Sequence, residues 1–175
     1  MDTTIQSELS QTRPETGAAT LSQFLTFVCA GEEYGVPILC VQEIKGWESV
    51  TRVPYTPDYL LGVMNLRGVI VPVIDLRTRF GLPASAPGTS TVVIVVRVFT
   101  ARGEKTAGVV VDAVSEVYGV VADEIKPTPD LGAPVERACV LGLASVDEKM
   151  VMLLDIDKLV LSCITAPDSG SGAVG

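Results

Sequence analysis

Short apolar runs broken by polar stretches recur along the chain, and most are four to eight residues long. Phe24–Val28 opens the first half and Val92–Phe99 the second. Glu32-Glu33 and Arg102–Lys105 follow as polar turns, so each run reads as the first arm of a hairpin. Val69–Ile74 and Met150–Leu154 are further buried strands. Pro72 has no amide hydrogen to donate and is expected at a sheet edge or a bulge. Many short strands with frequent turns predict small closed β-barrels, which remove exposed sheet edges. Helix is expected to be minor: a turn or two at Leu39–Glu43, Pro57–Leu61 and Leu76–Phe80, and a C-terminal piece at Asp157–Cys163.

The two halves resemble each other. Gly35-Val-Pro-Ile-Leu-Cys-Val-Gln-Glu43 parallels Gly108-Val-Val-Val-Asp-Ala-Val-Ser-Glu116. Thr56-Pro57-Asp58 recurs as Thr128-Pro129-Asp130, and Leu61-Gly62 as Leu141-Gly142. An aspartate in an apolar run follows each of the last two glycines, Asp75 and Asp155. The four matches are displaced by 73, 72, 80 and 80 residues, so order is kept, and a duplication is the simplest origin. The organisation expected is a polar tail at 1–20 and one domain at 21–165. Its lobes run over about 21–85 and about 88–165, with a second tail at 166–175. The charge-free stretch GLPASAPGTST (Gly81–Thr91) joins the lobes.

Composition narrows the chemistry. The 175 residues hold 47% hydrophobic positions and 27 valines, enough for a sizeable β-rich core. Histidine is absent, which excludes Ser-His-Asp and Cys-His catalysis, histidine metal ligation and phosphohistidine relay by this chain. The formal charge of −8 disfavours nucleic acid and anionic membrane surfaces as partners. No signal peptide and no membrane-spanning run is legible, so the expected address is the cytoplasm. Cys29, Cys40, Cys139 and Cys163 are too widely spaced for a zinc or redox motif and read as small reduced core thiols.

Asp75 and Asp155 are the best candidates for acid–base work, because a desolvated carboxylate has a raised pKa. Their repeated position at strand ends favours a structural role, accepting amide hydrogens from the turn that follows. No phosphate-binding glycine loop and no nucleophile elbow is present, and no cofactor is implied. Asn65-Leu66-Arg67-Gly68 is the most distinctive segment. Asn and Gly tolerate left-handed backbone, so a tight turn is expected, with Leu66 and Arg67 at its solvent-facing tip. There Arg67 is either a solvated side chain or a partner anchor. Val41 and Ile44 fit a core; Glu43, repeated as Glu116, argues for one shared structural job. Trp47 and Tyr55 read as core or as cover over a strand edge. The valines around Gly119-Val120-Val121 are expected to leave an apolar groove.

EEYGVPILCVQEIKGW (Glu32–Trp47), VTRVPYTPDYLLGVMNLRGVIVPVIDLRTRF (Val50–Phe80), TVVIVV (Thr91–Val96) and AGVVVDAVSEVYGV (Ala107–Val120) resemble the CheW family of bacterial chemotaxis coupling proteins. The likeness covers about residues 22–162. It implies a mainly β fold of two five-stranded SH3-like barrel lobes around a shared core. It implies a non-enzymatic adaptor that couples methyl-accepting chemoreceptors to the histidine kinase CheA, in clusters at the inner face of the membrane. The receptor tip would lie in a groove between the lobes. By motif position Val41, Glu43 and Arg67 fall on receptor-contact positions, while Gly62 and Gly68 fall on glycines that shape that region. The kinase contact carries over to no particular residue. Two rivals stand beside this reading. One is a related adaptor of a paralogous pathway, such as twitching motility. The other is a small β-barrel ligand-binding protein or enzyme.

Overall fold

The computed structural model describes residues 21–83, 85–128 and 138–165. The expected tails, 1–20 and 166–175, lie outside the described residues, as do Pro129 and Asp130 of the second Thr-Pro-Asp. β1 (Leu21–Cys29) and β2 (Glu32–Pro37) form the first hairpin about Ala30-Gly31. β3 (Val41–Gly46) follows a single 3-10 turn at Ile38–Cys40. β4 (Leu60–Leu66) and β5 (Val69–Asp75) form a hairpin about Arg67-Gly68. β6 (Val92–Thr100) and β7 (Gly103–Val111) make the next hairpin, followed by β8 (Ala113–Val121). β9 (Val140–Val146) and β10 (Lys149–Leu154) turn about Asp147-Glu148. The polar residues expected as turns are displaced by two: Glu32 and Glu33 begin β2, and Gly103–Lys105 begin β7. Three of the four hairpins turn on two residues with positive φ: Ala30-Gly31 (55° and 82°), Arg67-Gly68 (53° and 87°) and Asp147-Glu148 (50° and 65°). That turn matches the right-handed twist of the strands it joins.

Two five-stranded sheets result, ordered β8-β1-β2-β10-β9 and β3-β6-β7-β5-β4. Each half gives its first hairpin to one sheet and its other three strands to the other. Parallel pairings join the halves: Val151–Leu153 along Glu33–Gly35, and Val73–Asp75 along Gly108–Val110. The sheets therefore cut across the repeat that suggested two consecutive lobes.

The closed barrels expected are not formed by continuous ladders. β3 and β4 are the two edges of one sheet, β8 and β9 those of the other. Each seam is drawn together by one backbone bridge, Thr51 with Val63 and Lys126 with Leu143. Both bridges are reciprocal, with N···O distances of 2.9 and 2.8 Å in the first and 2.7 and 2.8 Å in the second. The chain leaving β3 or β8 crosses the barrel end and meets its neighbour at only one residue.

Pro72 lies inside its sheet, in β5 between β7 and β4, with the bulge at Leu60/Gly62 one pair away. Counting from the two-residue turn, the Val63–Pro72 pair is one that exchanges no hydrogen bonds, so the proline nitrogen faces β7. The parallel ladder with β7 starts only at Val73. The missing donor thus falls at a ladder end.

Among the described residues, three apolar clusters hold the molecule. Phe27, Ile74, Ile94, Val96 and Leu154 belong to a core shared by the sheets. Met64, Leu66, Val71, Val73, Val93 and Val95 fill one barrel. Phe24, Val120, Ala144, Val151 and Leu153 fill the other. Val120 is 2% exposed and Val71, Val73, Val93 and Val95 are wholly buried, so these strand valines go into the cores and not into a groove, while Val69 and Val117 stay exposed.

Helix is minor. α1 (Leu76–Arg79) follows β5 and α2 (Ile156–Thr165) follows β10. Residues 57–61 make one turn, Leu60 N–H to Pro57 O, before β4 takes over. A 3-10 turn at Ala122–Glu124 has no counterpart in the expected pattern. Ile156, Leu159, Val160 and Cys163 recur at helical spacing on α2 and are buried on the shared core. Complete burial of a side chain such as Leu159 stabilises by about 2 kcal/mol. Asp75 and Asp155 cap these helices. Asp75 Oδ1 accepts from Arg77 N at 3.1 Å, and Asp155 Oδ1 from Lys158 N at 3.2 Å. Their own amides donate to Tyr59 O and Cys139 O at 2.7 Å each, so the repeat holds to the level of single bonds.

All four cysteines are free, three of them buried and Cys40 half-buried. Burial pushes the Cys29 thiol up to about 12. Native protein treated with a thiol-reactive dye at pH 8 is expected to label Cys40 first. The other three should react only at the rate of unfolding, as mass spectrometry of trypsin fragments would show.

Candidate docking site at the β4–β5 hairpin tip

Arg67 is the first residue of a two-residue left-handed turn. Asn65 supports the turn through its side chain, whose Oδ1 accepts from Gly68 N at 2.8 Å. Leu66 is not at the solvent-facing tip: it is 6% exposed and packs in the barrel with Met64 and Val71. Strand alternation then throws Arg67 outward, and it reaches across the open seam to β3. Its Nη1 donates to Glu43 Oε2 at 2.6 Å and its Nη2 to Glu43 Oε1 at 3.1 Å. This fork is the side-chain partner of the Thr51–Val63 bridge, since both join the two edges of the same sheet.

The arginine side chain is 69% exposed and the glutamate 23%. The Arg67 hydrogen bond holds the Glu43 carboxyl below the usual glutamate value, and Glu43 in turn raises the Arg67 guanidinium. A guanidinium has five N–H donors, and two suffice for the fork. Val69 and Ile70, which follow the turn, are exposed large apolar residues, as is Ile44 beside Glu43. The tip therefore combines a fixed cation, spare donors and apolar surface.

Glu43 and Arg67 are thus brought into direct contact. Val41 lies at the start of β3, at the bulge that separates it from Glu43, and packs half-buried against the shared core. Gly62 lies on β4 against the Thr51 backbone and serves the seam, as Gly68 serves the turn. The shared job expected for Glu43 and Glu116 is not observed. Opposite Glu116 the hairpin tip carries Asp147, which bonds Tyr118 and pushes its phenol up to about 12. The Glu116 side chain also bonds Tyr118, and its backbone exchanges hydrogen bonds with Thr26 Oγ1 at 2.8 and 3.1 Å. Trp47 covers the far end of the barrel with Val50 and Leu61, as expected. Tyr55 does not cover anything: it is fully exposed, at φ 61°, on the loop before β4.

One structural pair has no signal in the sequence. Arg77 on α1 forks onto Asp112, just past β7, with Nε–Oδ1 at 2.9 Å. Asp112 also accepts from Ala30 N at 2.9 Å, and Arg77 Nη1 donates to Pro83 O at 2.7 Å. One carboxylate thereby ties the β1–β2 turn of one sheet to α1 of the other. The pair lines a cavity of about 330 Å³ with Trp47, Leu61 and Val110. The Arg77 bond holds the Asp112 carboxyl below its usual value. Asp112→Asn is expected to destabilise by about 2–3 kcal/mol in urea unfolding at pH 7. A depressed carboxylate stabilises above its unfolded pKa and loses that contribution as pH falls through the folded one. The gap between wild type and Asp112→Asn should therefore close below the ordinary aspartate value of 3.8.

Such a surface can hold and orient another protein. Among the described residues no group of three or more Cys, Asp or Glu is placed to hold a metal ion. Residues 23–162 match the family model described as the CheW-like domain. The chain belongs to the CheW-like family. It is 43% identical to "Chemotaxis protein CheW" of Klebsiella aerogenes over 146 residues, which cover 83% of this chain and 86% of the relative. The Helicobacter pylori protein of the same name is 32% identical, covering 89% and 91%. The solved structure of the scaffolding protein TtCheW of Thermoanaerobacter tengcongensis superposes with a TM-score of 0.71 at 35% identity, covering 79% and 86%. As a CheW-like protein the chain is a chemotaxis scaffold and not an enzyme. Asp75 and Asp155 keep their capping roles within it.

Proposed function

We propose that this adaptor couples the cytoplasmic tips of methyl-accepting chemoreceptors to the regulatory domain of the histidine kinase CheA. Arg67, Glu43 and Val41 are its receptor contact. The observation that carries this reading is the forked Arg67–Glu43 pair, fixed in direction yet with its arginine largely exposed beside Val69 and Ile70. A helical tip offers side chains at helical intervals, and the apolar surface with its oriented guanidinium would fix the register of that helix. Individual contacts need only be modest, because repeated contacts in an array add avidity. Kinase control is then a population shift between two packings that the receptor favours unequally.

The site of action is the inner face of the membrane, reached by binding. Among the described residues no helix is long and apolar enough to cross a bilayer. The test is co-sedimentation with receptor-bearing membranes. Kinase should pellet with the membranes only when this chain is added; kinase pelleting equally without it would refute the coupling role. A second reading has one observation in its favour. "Protein FrzA" of Myxococcus xanthus is 30% identical, covering 86% of this chain and 89% of that protein. That relative is more distant than the Klebsiella one, which favours chemotaxis over a paralogous pathway.

A further inference from the structure

The Arg67–Glu43 fork depends on where the turn points the arginine. A left-handed residue such as Arg67 is held only weakly by its own preferences, because its Cβ crowds the following carbonyl. In a two-residue hairpin the flanking pair, Leu66 and Val69, closes the ladder, and the amide of the second turn residue is left without a strand partner. That amide is Gly68 N, and the side-chain carbonyl of Asn65 takes it at 2.8 Å. The bond spans the turn and fixes the plane of the Arg67-Gly68 peptide, and hence the direction in which Arg67 leaves the backbone. In the other sheet Asp147, also the first residue of its turn, reaches the facing edge strand at Tyr118. In both barrels the first turn residue is a clasp across the seam.

We propose that Asn65 is a positioning residue for the docking site, its side-chain carbonyl holding the turn so that the Arg67 guanidinium stays forked on Glu43. The consequence for binding rests on the receptor-contact reading above. Asn65 is exposed and outside all three cores, so its replacement leaves the packing intact.

The test compares Asn65→Ala, Asn65→Ser and Asn65→Asp in the full chain. Alanine has no acceptor, serine is too short to span the turn, and aspartate retains an oxygen at the right reach. The first readout is the Glu43 carboxyl carbon followed by NMR against pH, with Lys45 as the other charged group that acts on it. In the wild type it titrates below the ordinary 4.5. Asn65→Ala and Asn65→Ser should move it back toward that value, and Asn65→Asp should keep it low. A Glu43 titration unchanged by Asn65→Ala overturns the proposal, and one unchanged by Asn65→Ser does so if the alanine variant fails to fold. The second readout is affinity for receptor-bearing membranes, expected to fall about fivefold with alanine and to recover with aspartate. A shifted Glu43 titration with unchanged membrane binding upholds the positioning role and refutes the receptor contact, so the two failures are told apart.

Discussion

Gly62→Ala is expected to be the most damaging single methyl that can be added to this protein. Gly62 sits at φ 152°, and a Cβ there would lie 2.2 Å from the Thr51 carbonyl oxygen and 2.8 Å from its carbon. Both atoms are backbone, held in place by the reciprocal Thr51–Val63 bridge. The bridge must open or the strand must shift, and either loosens the seam that Arg67 and Glu43 also close. We expect a loss of about 3–4 kcal/mol, which in a domain of this size lowers Tm by roughly 10 °C. Gly142→Ala repeats the fault in the other barrel, at φ 156° with Lys126 O at 2.6 Å. Its other close neighbour is the Ile125 side chain, which can turn aside, so the loss should be smaller. Gly68→Ala is the control. Its φ of 87° is equally unfavourable to a side chain, but nothing lies within 4 Å of the added carbon, and about 1 kcal/mol is the expected cost. Scanning calorimetry that found Gly62→Ala no worse than Gly68→Ala would show that the seam tolerates being opened.

Arg67→Glu is expected to leave the fold intact and weaken binding to receptor-bearing membranes by about tenfold or more. The side chain is mostly solvent-exposed, and its turn accommodates other residues, as Asp147 shows at the matching place. Reversal of charge removes the fork, sets two carboxylates against each other and presents the wrong sign to the partner. Tm should change by no more than a few degrees, since the three cores are untouched. The exchange Arg67→Glu with Glu43→Arg separates two roles. It rebuilds the clasp with its ends swapped. If the partner reads the arginine at the tip, binding stays weak; if it needs only a closed seam, binding returns. Co-sedimentation unchanged by Arg67→Glu alone would remove this tip from the receptor contact.

Much of this is legible in the chain. Gly62 and Gly142, Asp75 and Asp155 mark a repeat that survives as paired strained glycines and paired helix caps. Asn65-Leu66-Arg67-Gly68 marks the turn, because Asn and Gly are conspicuous where left-handed backbone is needed. The family resemblance rests on the same residues. Leu66 and Tyr55 each lie on the opposite side from the one their neighbours suggest. Leu66 adjoins Arg67 and so reads as part of the tip, yet strand alternation up to the turn sends it into the barrel. Tyr55 reads as cover because aromatics usually are, yet in its loop between Pro54 and Pro57 the side chain is fully exposed.

The amino-acid order alone determined a β-rich chain of short strands, a tight turn at Asn65–Gly68 and the family that would result. Burial periodicity, turn chemistry and short motifs are local properties, written within a few consecutive positions. Only the tertiary structure decided that each half lends its first hairpin to the sheet that holds three strands of the other half, that Arg67 meets Glu43 and that Arg77 meets Asp112. A strand's alternation says which face is apolar but not which other strand will lie beside it, and a charge says nothing of its partner until the sheets curl and bring their edges together.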